Sequence, residues 1–208
     1  MKKLKLIIPT VGFLTGFSFY SQSAFAYDGA GAASYADAHA KSYNTIYPSY
    51  SQDCTNFVSQ AMSLGGGLPQ KATGTGTYTT SSNYYWYFYA YSGGGHSYSW
   101  TVAKDLWDFL LNKTNYAHIE SKYNGYIGNH MYNTLIKGDL VAYNWGSHDL
   151  GVANHWGMEA GYGTDPSSGW VGDYVDTHTS NRYHAYWTLQ PYNSDPYSTT
   201  IWTVAIDK

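Results

Sequence analysis

Residues 53–64 read Asp-Cys-Thr-Asn-Phe-Val-Ser-Gln-Ala-Met-Ser-Leu, and they include the one cysteine of the chain. The apolar residues of this segment recur at helical steps of three and four residues. Asp53 stands where an N-cap residue belongs, and Gly65 follows as a stop signal. The segment therefore predicts a helix that carries Cys54 in its first turn.

Elements on both sides of this helix predict an α+β fold. Ala30 to Tyr43 has helical spacing, residues 72–100 are a tyrosine-rich loop, and a second amphipathic helix covers about 99–112. The rest of the chain has the shorter periods that are typical of strands. Four strands are predicted, at Leu140 to Trp145, Asn154 to Gly161, Val171 to Thr177 and Thr200 to Ile206. Because the helices come first, we expect N-terminal helices packed on an antiparallel β-sheet.

The composition excludes several classes of protein. The 208 residues suit one compact domain. Aromatic residues make up 19% of the chain and charged residues 12%, which argues against a coiled coil, a charged disordered tail and a nucleic-acid-binding protein. A single cysteine also excludes a disulfide framework within the chain and a cysteine-based zinc finger.

The first 26 residues have the features of a secretory signal peptide. Lys2, Lys3 and Lys5 precede an apolar stretch over 6–19, and Ala-Phe-Ala at 24–26 supplies a cleavage site. The apolar run is shorter than the about 20 residues that a membrane span needs, which disfavours an anchor. We therefore predict a signal peptide at 1–26 and a single domain at 27–208. The mature chain is expected to be secreted, extracellular or in the cell wall, without stable membrane insertion.

The position of Cys54 favours a reactive thiol. Backbone N–H groups and the positive end of the helix dipole both stabilise a thiolate at a helix N-terminus. The alternative is a small buried hydrophobic residue, which is what most free cysteines are. An unpaired thiol in an exported protein is exposed to oxidation, so it tends to persist only when it is buried or used.

A nucleophilic cysteine needs a general base, and eight histidines compete for that role. Most of them lie in polar, loop-like surroundings where a solvated histidine is expected. His155 differs because it begins a predicted core strand, which follows the strand at Leu140 to Trp145. We therefore take His155 as the candidate base.

Four motifs, in this order, resemble the putative amidase domain family. They are Asp-Cys-Thr-Asn-Phe-Val-Ser-Gln at 53–60, Ser-Trp-Thr-Val at 99–102, Gly-Asp-Leu-Val at 138–141, and His-x-Gly-x-Glu-x-Gly at 155–161. The family is similar to the NlpC-type cell-wall peptidases and the CHAP amidases, among papain-like cysteine hydrolases. The resemblance covers most of the chain from about Tyr50 to Tyr183.

The resemblance implies a papain-like fold, in which the helix that carries Cys54 packs on the sheet and presents the sulfur to His155. Cys54 would attack an amide carbonyl, and His155 would pass the thiol proton to the leaving amine. The backbone N–H of Cys54 is the expected oxyanion donor. Asp53, which matches the acid before the family's cysteine, is expected to cap the helix, and the alternative is that it helps to hold the site.

The third catalytic residue is assigned to His178. It matches a histidine that follows the base strand in this family, and the resemblance implies that it orients His155. Asp176 and Asn181 are alternatives, because a shift of one residue along a strand reverses the face to which a side chain points. A further alternative is that His178 only forms hydrogen bonds within a turn.

These features predict a secreted cysteine amidase or peptidase that hydrolyses amide bonds, with peptidoglycan as the leading substrate. No metal and no organic cofactor are expected, since the sequence lacks a metal-ligand pair at helical spacing. Two alternatives remain open. One is a secreted carbohydrate- or wall-binding module without turnover, which the tyrosine-rich loop at 78–98 favours. The other is a secreted effector that acts on protein amides.

Overall fold

The computed structural model describes residues 26–73, 78–91, 94–130, 134–146 and 151–207. The α-helices in these ranges are α1 (Gly29–His39), α2 (Cys54–Gln60), α3 (Tyr98–Thr101) and α4 (Ala103–Asp108). Single π-helical turns continue α2 over Ala61–Gly65 and α4 over Phe109–Lys113. Within the described residues, no helix is both long and apolar enough to span a membrane. The predicted signal peptide at 1–26 falls outside these ranges apart from its last residue, so it stays a prediction.

The strands form one antiparallel sheet. They are β1 (Ala117–Asn124), β2 (Leu140–Asn144), β3 (His155–Thr164), β4 (Val171–Thr177), β5 (Arg182–Tyr186) and β6 (Thr200–Ile206). Their order across the sheet is β1-β6-β2-β3-β4-β5. Every neighbouring pair is antiparallel, which confirms the predicted α+β class. All four predicted strands are present, whereas the edge strands β1 and β5 were not predicted.

The α1 helix packs closely against the end of α2. It begins at Asp28, whose carboxylate accepts a hydrogen bond of 2.9 Å from the backbone N–H of Gly31. At Gly65 an added Cβ would lie 2.5 Å from the carbonyl oxygen of Gly31, so any side chain there would push the two helices apart. Helix α1 ends earlier than predicted, because the backbone N–H of Ser42 bonds to the carbonyl oxygen of His39 and closes a turn.

The predicted second helix is divided into α3 and α4. Val102 between them has an extended backbone, with φ −118° and ψ 124°. The preceding loop contains no strand or helix among its described residues before Tyr98, as predicted. Isolated bridges such as Lys71 to Trp86 hold it in place, and Trp86 is fully buried. The loop is therefore fixed to the core at that point.

Two apolar clusters cover the two faces of the sheet, as the alternation of side chains along β2 requires. Leu140 and Ala142 point into the larger cluster, which the helices complete. Val141 and Tyr143 point into the smaller one, which the segments that connect the strands complete. Both faces of the central strand β2 are thus buried. The next strands in the sheet, β3 and then β4, extend from this buried strand.

Candidate active site

Cys54 is the first residue of α2, and its side chain is 4% exposed. Asp53 occupies the N-cap position, but no side chain caps the helix, so the expected cap by Asp53 is wrong. The Asp53 carboxylate instead accepts hydrogen bonds of 3.0 Å from the backbone N–H of Tyr50 and from the side-chain amide of Asn56. The first backbone N–H groups of α2 are thereby left without a side-chain acceptor beside the sulfur.

Burial raises the pKa of the Cys54 thiol above its ordinary value. Hydrogen bonds from the backbone of Trp156 and from the side chains of Thr55 and Thr179 favour the thiolate, but they offset the burial only in part. The lowered pKa that the helix N-terminus suggested is therefore wrong in direction, because desolvation is the larger effect. The resting residue is a protonated thiol at neutral pH.

His155 is the first residue of β3, and it pairs with Tyr143 of β2 in the register of the sheet. Its ring lies 5.6 Å from that of Tyr143 and 5.5 Å from that of Trp145, measured between centroids. Its Nε2 lies 3.0 Å from Thr177 Oγ1. Burial and then the positive charge of Arg182 lower the pKa of His155 to about 4, so the imidazole is neutral at pH 7.

The Thr177 hydroxyl determines the tautomer of His155. Thr177 Oγ1 has one hydrogen and lies 2.7 Å from the carbonyl oxygen of Trp156 and 3.2 Å from that of His178, and each of these carbonyl oxygens needs a donor. It can therefore only accept from His155, which places the ring hydrogen on Nε2 and leaves the lone pair on Nδ1. A neutral imidazole with a free Nδ1 can take a proton from a nearby group.

Cys54 and His155 line the same cleft, which has a volume of about 490 Å³. The volume is within the usual range for sites that bind small molecules or peptide side chains. The remaining lining residues are Gln52, Trp145, Asn154, Thr177, Thr179, Ser180, Arg182, Leu189 and Tyr192. No described residue of the tyrosine-rich loop contributes to this lining.

A family model described as a putative amidase domain matches residues 26–202. The chain belongs to the putative amidase domain family. The family description indicates hydrolysis of amide bonds. The match covers both Cys54 and His155, together with the whole of β2, β3, β4 and β5.

One relative of this amidase family member is the "Uncharacterized protein YhbB" of Bacillus subtilis (strain 168), which is 33% identical over 93 residues. The matched segment is 43% of this chain and 25% of YhbB, so the chain spans about a quarter of the length of that relative. No solved structure matches the chain.

In this family member, His178 lies beside α2, which carries Cys54, and not beside His155. Its Nδ1 is 2.7 Å from Asp53 Oδ2, and its Nε2 is 2.8 Å from the carbonyl oxygen of His39. Its ring stacks on that of Phe57 at 4.1 Å. Both ring nitrogens are thus occupied, and the position next to His155 that the sequence assigned to His178 is taken by Thr177.

The two alternatives to His178 also have other partners. Asn181 Oδ1 accepts a hydrogen bond from the Tyr43 hydroxyl at 3.0 Å. Asp176 Oδ1 accepts from the backbone N–H of His184 at 2.7 Å. Within the described ranges, neither side chain forms a hydrogen bond with His155, whereas Thr177 does.

One group among the described residues has the donor atoms of a metal site. Asp37, Asp176 and His184 each offer a ligand atom, and these atoms lie within 4.8 Å of one another. His184 Nε2 is already 2.8 Å from Asp37 Oδ1. Burial, with the nearby Asp37 carboxylate, raises the pKa of Asp176, so a proton held by the two carboxyl groups accounts for their close approach.

The sequence did not reveal two of the residues at the site, Thr177 and Arg182. A threonine hydroxyl has no spacing signature, although Thr177 was correctly predicted as the last residue of β4. Arg182 is the first residue of β5, and this strand was not predicted. No pattern in the sequence therefore indicated that Arg182 lies opposite Thr177.

Proposed function

We propose that this amidase family member is a cysteine amidase or peptidase with a papain-like arrangement, in which Cys54 is the nucleophile and His155 the general base. The observation that carries the proposal is that these two side chains line one cleft. The backbone of Trp156 also forms a hydrogen bond with the sulfur. Because Trp156 directly follows His155, this contact puts the sulfur beside the start of β3.

The directions of the two pKa shifts favour a neutral thiol and imidazole pair over a resting ion pair. In the proposed reaction, His155 Nδ1 takes the thiol proton as the sulfur attacks the amide carbonyl carbon. His155 then delivers that proton to the leaving amine, and a thioester forms on Cys54. Water hydrolyses the thioester with His155 again acting as base, which releases the acid and restores the thiol.

The developing oxyanion needs hydrogen-bond donors beside the sulfur. The backbone N–H of Cys54 belongs to a helix start without a side-chain cap, so it is a natural donor. The side chain of Gln52 also lines the cleft, and its amide can supply a second donor. The oxyanion would thus be stabilised without any metal ion.

The proposed substrate class is peptidoglycan, either its stem peptides or its cross-bridges, cleaved by a secreted enzyme. The signal-peptide pattern and the amidase family support this choice. A second candidate is a wall-binding module without turnover. Exposed Tyr78, Tyr84 and Tyr91 on the tyrosine-rich loop favour it, since exposed aromatic rings stack on sugars.

The test is release of new amino groups from purified peptidoglycan by the mature protein, compared with the Cys54→Ser and His155→Ala variants. We expect turnover that falls by about 10³-fold or more in Cys54→Ser and by about 10²-fold or more in His155→Ala. Ser51→Ala, an exposed change three residues from Cys54, is the matched control. Binding to peptidoglycan with no release of amines, unaffected by Cys54→Ser, would contradict the enzyme proposal and favour the binding module.

A further inference from the structure

Among the described residues that line the cleft of Cys54 and His155, Arg182 is the one with a formal charge at neutral pH. No aspartate and no glutamate is present among these described lining residues, although the whole chain has 14 acidic residues against 11 basic ones. A lone cation in a cleft of an acidic protein creates a local field that attracts anions. The positive charge of Arg182 thus distinguishes the described lining of the cleft from the rest of the chain, which is acidic.

The sheet places Arg182 next to the catalytic pair. Arg182 lies directly opposite Thr177 in the register of β4 and β5, and Thr177 contacts His155. Residues directly opposite each other in an antiparallel pair have Cβ atoms about 5 Å apart on the same face. The positive charge of Arg182 disfavours protonation of His155 and so helps to lower its pKa.

The Arg182 guanidinium is held in position, and no acidic residue in the described ranges pairs with it. Its Cζ lies 3.8 Å from the centroid of the Tyr192 ring. Tyr192 is itself fixed, because its hydroxyl donates to the carboxylate of Asp165, at 2.6 and 2.7 Å to the two oxygens. In the described part of the chain, no carboxylate oxygen lies within 4.0 Å of the guanidinium.

We propose that Arg182 is a carboxylate-binding subsite, which selects substrates with a free carboxylate on a residue next to the scissile amide. Stacking on Tyr192 occupies a face of the guanidinium and leaves its N–H edge free, and that edge matches a carboxylate with two parallel hydrogen bonds. The inference rests on the proposed function, since it concerns the substrate of the same cleft. It adds that the enzyme cleaves beside an anionic group, such as a chain-terminal residue.

The test compares alkylation of Cys54 by iodoacetate, which carries a carboxylate, with alkylation by neutral iodoacetamide. In both reactions the sulfur displaces iodide and the thiol proton passes to His155. We expect Arg182→Gln to lower the ratio of the iodoacetate rate to the iodoacetamide rate by about tenfold, the size of a charge interaction over several ångströms near a protein surface. Arg182→Lys should retain part of the preference, because it keeps the charge and loses the planar fork.

Lys122→Gln is the matched control, since it removes one positive charge from an exposed residue on β1, at the opposite edge of the sheet. The ratio should be unchanged in this variant. In wild type the ratio should also decrease as salt is raised, because ions screen the attraction.

A second measurement uses N-acetyl-alanyl-alanine and its C-terminal amide as ligands that protect Cys54 from iodoacetamide. The free acid should protect wild type better than the amide does, and this difference should vanish in Arg182→Gln. Equal reagent ratios and equal protection in wild type and Arg182→Gln would overturn the carboxylate subsite and leave the proposed function intact. A Cys54 thiol that reacts with neither reagent would overturn the proposed function, and the subsite with it.

Discussion

A single hydroxyl, that of Thr177, fixes which nitrogen of His155 can act as a base. Because Thr177 Oγ1 donates its one hydrogen to a backbone carbonyl oxygen, it accepts from His155 Nε2. The group that contacts His155 Nε2 is thus a neutral hydroxyl, which orients the ring without stabilising a positive charge on it. This fits the pKa of His155, which is lowered to about 4, so that the ring is neutral at pH 7.

We expect Thr177→Val to slow the His155-dependent alkylation of Cys54 by iodoacetamide by about tenfold or more, a part of the 10²- to 10⁴-fold that a general base supplies. Valine keeps the shape of the side chain but leaves Nε2–H without its acceptor, so the ring loses its tautomer and orientation. Thr177→Ser is the matched control and should stay within a few-fold of wild type. If the valine and serine variants react equally fast, the hydroxyl does not orient His155.

Cys54 and His155, which line one cleft, could be singled out from the sequence because each has a local signal. One is the single cysteine at a helix start, and the other is a histidine at the start of a core strand. The third position could not be found this way. Whether Thr177 or His178 faces His155 depends on the alternation of side chains along β4, and a bulge between Val175 and Thr177 shifts the register there.

At the scale of secondary-structure elements, His178 joins three parts of the fold. It follows the end of β4, contacts Asp53 at the start of α2, and contacts the backbone of His39 at the end of α1. Its side chain is 3% exposed, and the ring stacks on Phe57. The residue therefore anchors the N-terminus of α2, and with it the nucleophile, against the sheet.

We expect His178→Gln and Asp53→Asn each to lower the free energy of unfolding by about 2 kcal/mol, since each leaves a buried hydrogen-bonding partner incompletely satisfied. The double variant should cost less than the sum of the two, because both changes break the same contact. Urea unfolding followed by circular dichroism measures this.

The alkylation rates distinguish an anchor from a group that orients the base. If His178 anchors α2, His178→Gln should leave the pH dependence of Cys54 alkylation unchanged wherever the protein is folded. A shift of that pH dependence without any loss of stability would return His178 to the role that the sequence suggested.

The elements that were predicted well are those with two apolar faces or a clear alternation of apolar and polar residues. The bounds of β4 and β6 match the expected ones. The edge strand β1 was missed because most of its residues are exposed and polar, so it has no buried face to produce a pattern. The β5 strand was missed because it is short and contains His184 at a positive φ of 51°. Both strands depend on pairing with a neighbour, which a local pattern does not contain.

For the whole molecule, buried acidic groups determine how stability changes with pH. Burial raises the pKa of Glu159 to about 10 and that of Asp139 to about 6. Each group is protonated in the folded state over a pH range where the unfolded chain is ionised. Their contribution to stability is therefore fully present below about pH 4 and is lost as the pH rises through the folded values. His155 acts in the opposite direction, since stability is lost as the pH falls from about 6.5 to about 4.

We predict greatest stability near pH 4 and a decline toward pH 9, because above pH 4 the losses from Glu159 and Asp139 together exceed the gain from His155, measured by urea unfolding at a series of pH values. Glu159→Gln should make the decline less steep and raise the free energy of unfolding by about 3 kcal/mol at pH 7. This is the cost of protonating a carboxyl group whose pKa in the unfolded chain lies about 2.5 units below that pH. The control is Glu120→Gln, an exposed change on β1. A decline that is equally steep in wild type and Glu159→Gln would show that Glu159 is ionised in the folded protein.

The burial of Cys54 has a consequence for how long the protein keeps its activity in air. Peroxides attack a thiolate, and a cysteine that rests in that form is converted first to a sulfenic acid and then irreversibly to higher oxides. Cys54 is 4% exposed and is protonated at rest, so it presents little of the reactive form to dissolved oxidants. The chain has no second cysteine with which a sulfenic acid could form an intramolecular disulfide. We therefore expect peroxides to oxidise Cys54 slowly.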